Sequence, residues 1–202
     1  MVVKNNLLYC DSGKQVDFMD TPNKSGTLNP LYLVMHYTAG VSFDGAVNWL
    51  SQREAKASAH FVIGRDGELV QMVSLNRKAW HAGRSQWGEL VYLNSYSVGI
   101  ELVNAGKLHK RGDGKWVNWA NKVIPEKEVA ILTHPHESQE AGWQIYPEVQ
   151  LQKAIEVASA LNDKYEFRDI LGHEDISKGR KVDPGPAFPM ISFSSQVVGR
   201  EE

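Results

Sequence analysis

Short apolar runs of strand length, broken up by helical patterns, are the feature that most constrains the fold of this chain. Residues 31–35 (LYLVM) and 97–102 (SVGIEL) are two such runs. Residues 60–73 (HFVIGRDGELVQMV) predict two further strands around an Asp66-Gly67 turn, which is a strong local hairpin signal. The order of elements that follows is strand, helix and hairpin, with a core strand after them.

Two segments have the periodicity of amphipathic helices. The first follows Ser42, a candidate N-cap, and places on one face Phe43, Ala46, Val47 and Leu50. The second covers 146–165, with Pro147 suited to its first turn, and places on one face Leu151, Ala154, Ile155, Ala158 and Leu161. It leads into a short strand that ends at His173. Strands interspersed with helices predict an α/β fold with a central mixed sheet flanked by helices.

Composition favours one globular domain over residues 1–202, with 42% apolar and 23% charged side chains. Residues 104–146 show no sustained period and are interpreted as a hairpin or long loop. The formal net charge of -2 provides no basic field for nucleic acid or an anionic membrane. Partners therefore have to be inferred from individual sites.

The single cysteine, Cys10, excludes an intramolecular disulfide and favours a reducing compartment. The N-terminal residues 1–15 lack the apolar region of a signal peptide, and no run approaches the roughly 18 apolar residues of a membrane span. We expect a cytoplasmic protein with no membrane insertion. Later release by lysis or by a leaderless route is an alternative.

Two of the seven histidines stand where an apolar strand meets a loop. His36 closes the run LYLVM, and His173 closes DILG. With Asp183, ten residues after His173, they would provide the nitrogen and oxygen ligands typical of a catalytic zinc that keeps water in its fourth position. The alternative is that both histidines are capped strand ends and that Asp183 is a turn residue before Pro184.

A rival metal motif is the His134-Pro135-His136 segment, because His-x-His pairs occur in binuclear metal hydrolases. Ser138 and Gln139 stand where a further Asp-His would extend that motif, and the proline indicates a turn. His134 and His136 are therefore disfavoured as ligands. A zinc deaminase is also disfavoured, since its Cys-x-x-Cys pair needs more than one cysteine.

Five segments between about residues 31 and 189 together resemble one family in its own order: VMHYTAG, SAHFVIGRDGELVQMV, AWHAGRSQW, NSYSVGIELVN and GHEDISKGRKVDPGPAFP. The family is that of the zinc-dependent N-acetylmuramoyl-L-alanine amidases, which includes the bacterial anhydro-muropeptide amidase, phage lysozyme-amidases and peptidoglycan-recognition proteins. Residues 1–30 would then be an N-terminal extension packed on the domain.

The resemblance implies a zinc site at strand ends and adjoining loops, with one Zn²⁺ per chain bound by His36, His173 and Asp183. It implies that Glu101 is the catalytic carboxylate and that Lys181 is the cation that stabilises the transition state. The substrate would be peptidoglycan or a muropeptide, cut at the amide between N-acetylmuramic acid and L-alanine. The resemblance leaves oligomeric state open.

One departure from the phage members bears on the role of Glu101. A tyrosine precedes the histidine matching His60 in those proteins, whereas Ala59 stands here. This favours the version of the site in which Glu101 supports the water, as general base and then general acid. His60 itself is interpreted as a core histidine or a neighbour of the ligands. The alternative for Glu101 is a salt-bridged strand residue, and for Lys181 a solvated loop lysine.

Trp80, His81 and Asn104 are candidates for substrate contacts, because each lies in a resembling segment beside small residues or a strand end. Two neighbours of the metal motif, Lys178 and Arg180, are interpreted as solvated. Glu174 and Asp175 are interpreted as turn residues or as neighbours of the ligands. A non-catalytic peptidoglycan-binding recognition module is the alternative function; the presence of the whole ligand and catalytic set favours the enzyme.

Overall fold

The computed structural model describes residues 1–199. Its strands are β1 Val2–Lys4, β2 Leu7–Tyr9, β3 Lys24–Thr27, β4 Tyr32–Tyr37, β5 Phe61–Ile63, β6 Leu69–Gln71, β7 Arg77–Ala79, β8 Gln86–Trp87, β9 Leu90–Val91, β10 Ser97–Leu102, β11 Lys107–Lys110, β12 Trp116–Val117, β13 Val129–Thr133, β14 Glu140–Gln144 and β15 Asp169–Gly172. Its α-helices are α1 Phe43–Leu50, α2 Glu148–Tyr165, α3 His173–Ile176 and α4 Met190–Val198.

A five-stranded sheet in the order β15-β4-β10-β5-β6 forms the centre of the molecule. Its first four strands run parallel, and β6 pairs antiparallel with β5 through the predicted hairpin. Leu33, Val34 and Met35 of β4 are completely buried, as expected for a parallel strand covered on both faces. The predicted α/β fold with a central mixed sheet is confirmed.

The two predicted long helices are present, with one difference at the start of α2. The Ser42 hydroxyl caps α1 by accepting a hydrogen bond from the Gly45 N–H at 3.1 Å. Pro147 occupies the N-cap position of α2 and not its first turn, so that helix begins at Glu148. Among residues 1–199, no helix has the length and apolar character needed to cross a membrane.

The first 30 residues contribute directly to the main core. Leu8, Val16 and Leu28 are buried in the same cluster as Leu33 of the central sheet. The backbone N–H of Leu8 donates to Oε1 of Gln71 at 2.9 Å, which ties the N-terminal hairpin to the edge strand β6.

Residues 104–146 contain a four-stranded antiparallel sheet in the order β12-β11-β14-β13. Its consecutive pairs β11–β12 and β13–β14 are hairpins, so the hairpin interpretation is confirmed and the long-loop alternative was wrong. We call β11–β14 the insert sheet. Its strands are only two to five residues long, so none shows a sustained pattern. They are held by contacts between distant residues: a Cβ on Gly142 would lie 2.6 Å from the Trp116 ring.

The sheet core can be tested with Leu33→Ala. The change removes a fully buried side chain from the centre of β4 and should lower the free energy of unfolding by about 2–5 kcal/mol. Ile191→Ala is the control, because that side chain is 87% exposed on α4 and its loss should cost less than about 0.5 kcal/mol. Urea unfolding followed by circular dichroism measures both, and equal midpoints would contradict the placement of Leu33.

Candidate metal centre

The carboxyl ends of three parallel strands bring the predicted site residues together. His36 lies near the end of β4, and Glu101 of β10 is its direct neighbour in the strand register. His173 follows β15 immediately, as the first residue of the short helix α3. Functional groups gather at this edge because parallel strands all end there.

Three ligand atoms form a compact triangle. The Nδ1 atoms of His36 and His173 lie 3.0 Å apart, and Oδ2 of Asp183 lies 3.0 Å from the first and 2.9 Å from the second. All three side chains are buried. Among residues 1–199 this is the one group of His, Cys, Asp or Glu side chains whose ligand atoms converge in this way.

The triangle fits a zinc ion. Tetrahedral zinc bonds nitrogen and oxygen ligands at about 2.0–2.2 Å, which separates neighbouring ligand atoms by roughly 3.4 Å, so small outward movements of the three atoms suffice. Two histidines and a carboxylate leave the fourth position for water or substrate. The coarser prediction, a possible metal site formed by two histidines and an aspartate, is borne out.

Burial and mutual contact set the charge states of the ligands. Burial, together with the neighbouring His173, lowers the pKa of His36 to about 4. Burial alone would raise the pKa of Asp183, but the contacts of its carboxylate with His173 and His36 outweigh burial and hold that pKa well below its usual range. The site therefore presents a neutral imidazole and an anionic carboxylate, which are the forms that bind metal.

The loop between His173 and Asp183 is closed by bonds at its base. The backbone N–H of Glu174 donates to the Asp183 carbonyl at 2.9 Å, and Oε2 of Glu174 accepts from the Gly185 N–H at 3.2 Å. Oδ2 of Asp175 accepts from the Gly172 N–H at 2.7 Å. Glu174 and Asp175 thus both stabilise, by hydrogen bonds, the backbone of residues 173–183, which we call the metal loop.

Arg180 is exposed, in line with its interpretation as a solvated residue, but it also holds the outer part of this loop. Its guanidinium donates to the Arg84 carbonyl at 2.7 Å, to the Ala82 carbonyl at 3.2 Å and to the Ser177 hydroxyl at 2.6 Å. Sequence reasoning missed this role because the acceptors are backbone carbonyls almost a hundred residues away, which no local pattern records.

The insert sheet contacts the same loop through His134, at the end of β13. Nε2 of His134 donates to Oε2 of Glu174 at 2.7 Å, and the imidazole stacks on Trp143 at 5.7 Å between ring centroids. A Cβ on Gly185 would lie 2.6 Å from the Trp143 ring, so only glycine permits this close approach. His134 is a support for the loop and lies outside the ligand triangle.

A cleft of about 460 Å³ opens on the triangle, and Glu101 lies in its wall. Oε2 of Glu101 is buried and, among residues 1–199, has no hydrogen-bond partner. Burial and the nearby charge of Asp183 raise the pKa of Glu101 to about 8, against the opposing effect of Lys181. A carboxyl group with a pKa near neutrality is suited to proton transfer.

Lys181 lines the same cleft and is half-buried. Within the described part of the chain its ammonium makes no hydrogen bond or ion pair. Trp80 also lines the cleft, where its indole Nε1–H donates to the Ser25 hydroxyl at 3.1 Å. The structure thus places the two predicted catalytic residues and Trp80 in the cleft that opens on the metal triangle.

The other two predicted substrate contacts are placed differently. His81 reaches the cleft but is buried, with Nδ1 lying 2.9 Å from Nε2 of His36. Asn104 is fully buried and does not line the cleft. Its side-chain amide donates to the Gln144 carbonyl at 3.1 Å and accepts from the Gly106 N–H at 2.7 Å, so it secures the start of the insert sheet.

His60 is a core histidine with no contact to the triangle. Its Nδ1 accepts from the Gly99 N–H at 3.0 Å, and its Nε2 donates to the Arg77 carbonyl at 3.0 Å. Both ring nitrogens are therefore bonded to backbone groups, one of β10 and one of β7.

Comparison with known proteins supports the resemblance. The family model described as N-acetylmuramoyl-L-alanine amidase, Amidase_2, matches residues 26–186. The 1,6-anhydro-N-acetylmuramyl-L-alanine amidase AmpD of Escherichia coli (strain K12) is 33% identical over 140 residues, which cover 68% of this chain and 57% of AmpD. N-acetylmuramoyl-L-alanine amidase A of Achromobacter lyticus is 34% identical over 187 residues, or 88% of this chain and 89% of that protein.

Solved structures agree with the fold. A selenomethionine derivative of AmpD superposes with a TM-score of 0.70 at 23% identity, over 98% of this chain and 99% of that one. The amidase AmiD of E. coli, in complex with anhydro-N-acetylmuramic acid-L-Ala-D-gamma-Glu-L-Lys, superposes with a TM-score of 0.63 at 26% identity, over 98% of this chain and 68% of AmiD.

The chain spans 57% of the E. coli AmpD that it matches, yet the family match extends over the whole stretch from β3 to the end of the metal loop. It includes every ligand of the triangle together with Glu101 and Lys181. The chain belongs to the Amidase_2 family of N-acetylmuramoyl-L-alanine amidases.

Proposed function

We propose that this protein is a zinc-dependent hydrolase that cleaves the amide between N-acetylmuramic acid and the L-alanine of a peptidoglycan stem peptide. The observation that carries the proposal is the convergence of His36, His173 and Asp183 at about 3 Å, in one cleft with Glu101 and Lys181. Family membership and the ligand named in the AmiD complex support this substrate class.

His36, His173 and Asp183 would hold the metal. Zinc bound there supplies a Lewis acid that polarises a carbonyl group and lowers the pKa of a water molecule. The chain provides a neutral imidazole at His36 and an ionised carboxylate at Asp183, which are forms that bind a metal ion without first losing a proton.

Glu101 transfers protons in the proposed reaction. Its unpartnered Oε2 accepts a proton from the attacking water, and the same atom returns that proton to the alanine nitrogen as the C–N bond breaks. Because burial raises the pKa of Glu101 to about 8, the protonated form that exists between these two transfers is accessible near neutral pH.

Lys181 stabilises negative charge in the proposed reaction. Its ammonium lies in the same cleft and can approach the carbonyl oxygen that becomes negative when water attacks. Arg180 fixes the chain immediately before it, so the lysine extends from an anchored backbone. The exposed Trp49 and the half-buried Trp80 line the outer cleft and would contact the sugar or the peptide.

A non-catalytic recognition module is the competing function. The full ligand set, the orphaned carboxylate oxygen and the cleft cation all favour the enzyme, because a binding module needs none of them in one place. Cytoplasmic location stays a prediction, and soluble muropeptide and polymeric wall are both alternatives for the substrate.

Asp183→Asn tests the metal triangle. Replacing the anionic ligand by a neutral amide should weaken zinc binding by more than about 100-fold, since even partners of ligands contribute about 10–100-fold. Zinc content after dialysis and competition with a chelating dye measure the effect. Asp163→Asn, at an exposed position of α2, is the control and should keep one zinc per chain. Unchanged zinc affinity in Asp183→Asn would refute the assignment.

Glu101→Gln tests the activity itself. Zinc-loaded protein is incubated with anhydro-N-acetylmuramyl tripeptide and, separately, with purified sacculi, and the released alanine amino groups are quantified. The variant should keep its zinc but lose about 10²–10⁴ in kcat, because glutamine cannot take up the proton. Glu126→Gln, exposed beside the insert sheet, is the control. If the wild-type protein hydrolyses neither substrate, the recognition module is favoured. Full activity of Glu101→Gln would exclude Glu101 as the base.

Lys181→Ala tests the cleft cation. Loss of one group that stabilises the oxyanion should reduce kcat by about 10²–10³ while zinc affinity changes little. Lys178→Ala removes an exposed lysine of the same loop and serves as the control. Steady-state kinetics on the soluble tripeptide separate kcat from KM, and a pure KM effect in Lys181→Ala would assign the lysine to binding.

A further inference from the structure

We propose that His81 is a positioning residue that fixes the tautomer of His36, so that Nδ1 of His36 is unprotonated and directed at the metal. The inference rests on the proposed zinc site. It assigns to His81 a role inside the protein in place of the predicted contact with substrate.

The two ring nitrogens of His36 face different surroundings. Nδ1 belongs to the ligand triangle, 3.0 Å from both Nδ1 of His173 and Oδ2 of Asp183. Nε2 points the other way and lies 2.9 Å from Nδ1 of His81. Two histidine nitrogens at hydrogen-bond distance can share a proton in either direction, so this contact alone does not decide which ring donates.

The direction is decided at the far side of His81. Its Nε2 lies 3.1 Å from the Ser97 carbonyl oxygen, which can only accept. It also lies 3.3 Å from the Ser97 hydroxyl, whose own hydrogen is directed to the Leu93 carbonyl at 2.7 Å. Both groups of Ser97 therefore require a donor, and Nε2 of His81 carries the proton.

The remaining positions follow from the chemistry of a neutral imidazole, which has one N–H and one lone pair. With its proton on Nε2, His81 presents a lone pair at Nδ1 and accepts from Nε2–H of His36. His36 then has its lone pair at Nδ1, where a metal ligand needs it. A doubly protonated His81 would reverse this order, but its ring is buried against two other histidines without a carboxylate contact.

His173 reaches the same tautomer by a shorter route. Its Nε2 lies 3.3 Å from the Ala82 carbonyl oxygen, so Nε2 donates and Nδ1 faces Asp183 with a lone pair. His36 lies on the inner strand β4, where its Nε2 meets the His81 side chain instead of a carbonyl. Because the Ser97 carbonyl accepts from Nε2–H of His81, Nδ1 of His81 accepts from Nε2–H of His36.

The ring of His81 is held in place by its surroundings. A Cβ on Gly99 would lie 2.5 Å from Cγ of His81, so the absence of a side chain at that point of β10 makes room for the imidazole. Oδ1 of Asn94 accepts from the backbone N–H groups of His81 at 3.0 Å and of Ala82 at 2.7 Å. These contacts fix the backbone and the ring together.

Two substitutions separate hydrogen bonding from packing. His81→Phe keeps a ring but removes the acceptor, and should raise the zinc Kd by about 10–100-fold. His81→Asn places an oxygen acceptor near the former Nδ1, and should recover most of the loss, to within about 10-fold of wild type. His60→Phe is the matched control: it replaces a buried histidine bonded only to backbone groups, and should alter stability but not zinc affinity.

Nuclear magnetic resonance of ¹⁵N-histidine-labelled protein tests the tautomer without any assay of hydrolysis. In the zinc-loaded wild type, we expect the proton on Nε2 of His36 and on Nε2 of His81. We also expect a coupling across the hydrogen bond from Nε2 of His36 to Nδ1 of His81. The coupling should vanish in His81→Phe and persist in the His60→Phe control.

A proton on Nδ1 of wild-type His81, or a zinc Kd in His81→Phe equal to that of wild type, would overturn the inference. If His81→Phe does not fold, the wild-type spectrum and His81→Asn still decide. Failure of the proposed function is a separate result, because a protein that binds zinc through this hydrogen-bond chain but releases no peptide would keep the tautomer and lose the activity.

Discussion

Three electron-rich atoms placed within about 3 Å of one another are the constraint on which the rest of this structure depends. Nδ1 of His36, Nδ1 of His173 and Oδ2 of Asp183 converge on a common centre, as the ligands of a metal ion do. The surrounding contacts hold the three atoms in place, which is why so many of those contacts lie at two strand ends and one loop.

The sheet and the loop hold their parts of the site by different means. His36 and Glu101 are neighbours in a parallel pair of strands, so the backbone ladder fixes their spacing without further help. Asp183 and Lys181 lie on a loop with no ladder, and there the position depends on crosslinks made by Glu174 and Arg180. A scaffold of strands with anchored loops is a general way to combine rigidity with chemical variety.

The sequence predicted what local patterns record. An apolar run that ends at a histidine marks a strand end, and an Asp-Gly turn between such runs marks a hairpin. Its spacing to His173 made Asp183 a candidate ligand, whereas Glu101 and Lys181 needed the family resemblance, because no spacing rule assigns them a catalytic role. The insert sheet, the anchoring by Arg180 and the contact between His81 and His36 could not be predicted. Each depends on partners distant in sequence and on the direction in which a ring or a guanidinium points.

The contact between His134 and Glu174 joins the insert sheet to the metal loop, and it makes the two thermodynamically linked. A metal ion bound by His173 and Asp183 would stabilise the loop geometry that Glu174 requires, and would so favour the docked position of β13 and β14. By reciprocity, undocking of the insert sheet would lower the affinity of the metal centre by the same free energy. The metal affinity would thus also respond to changes in the insert sheet, which is accessible from the outer surface of the protein.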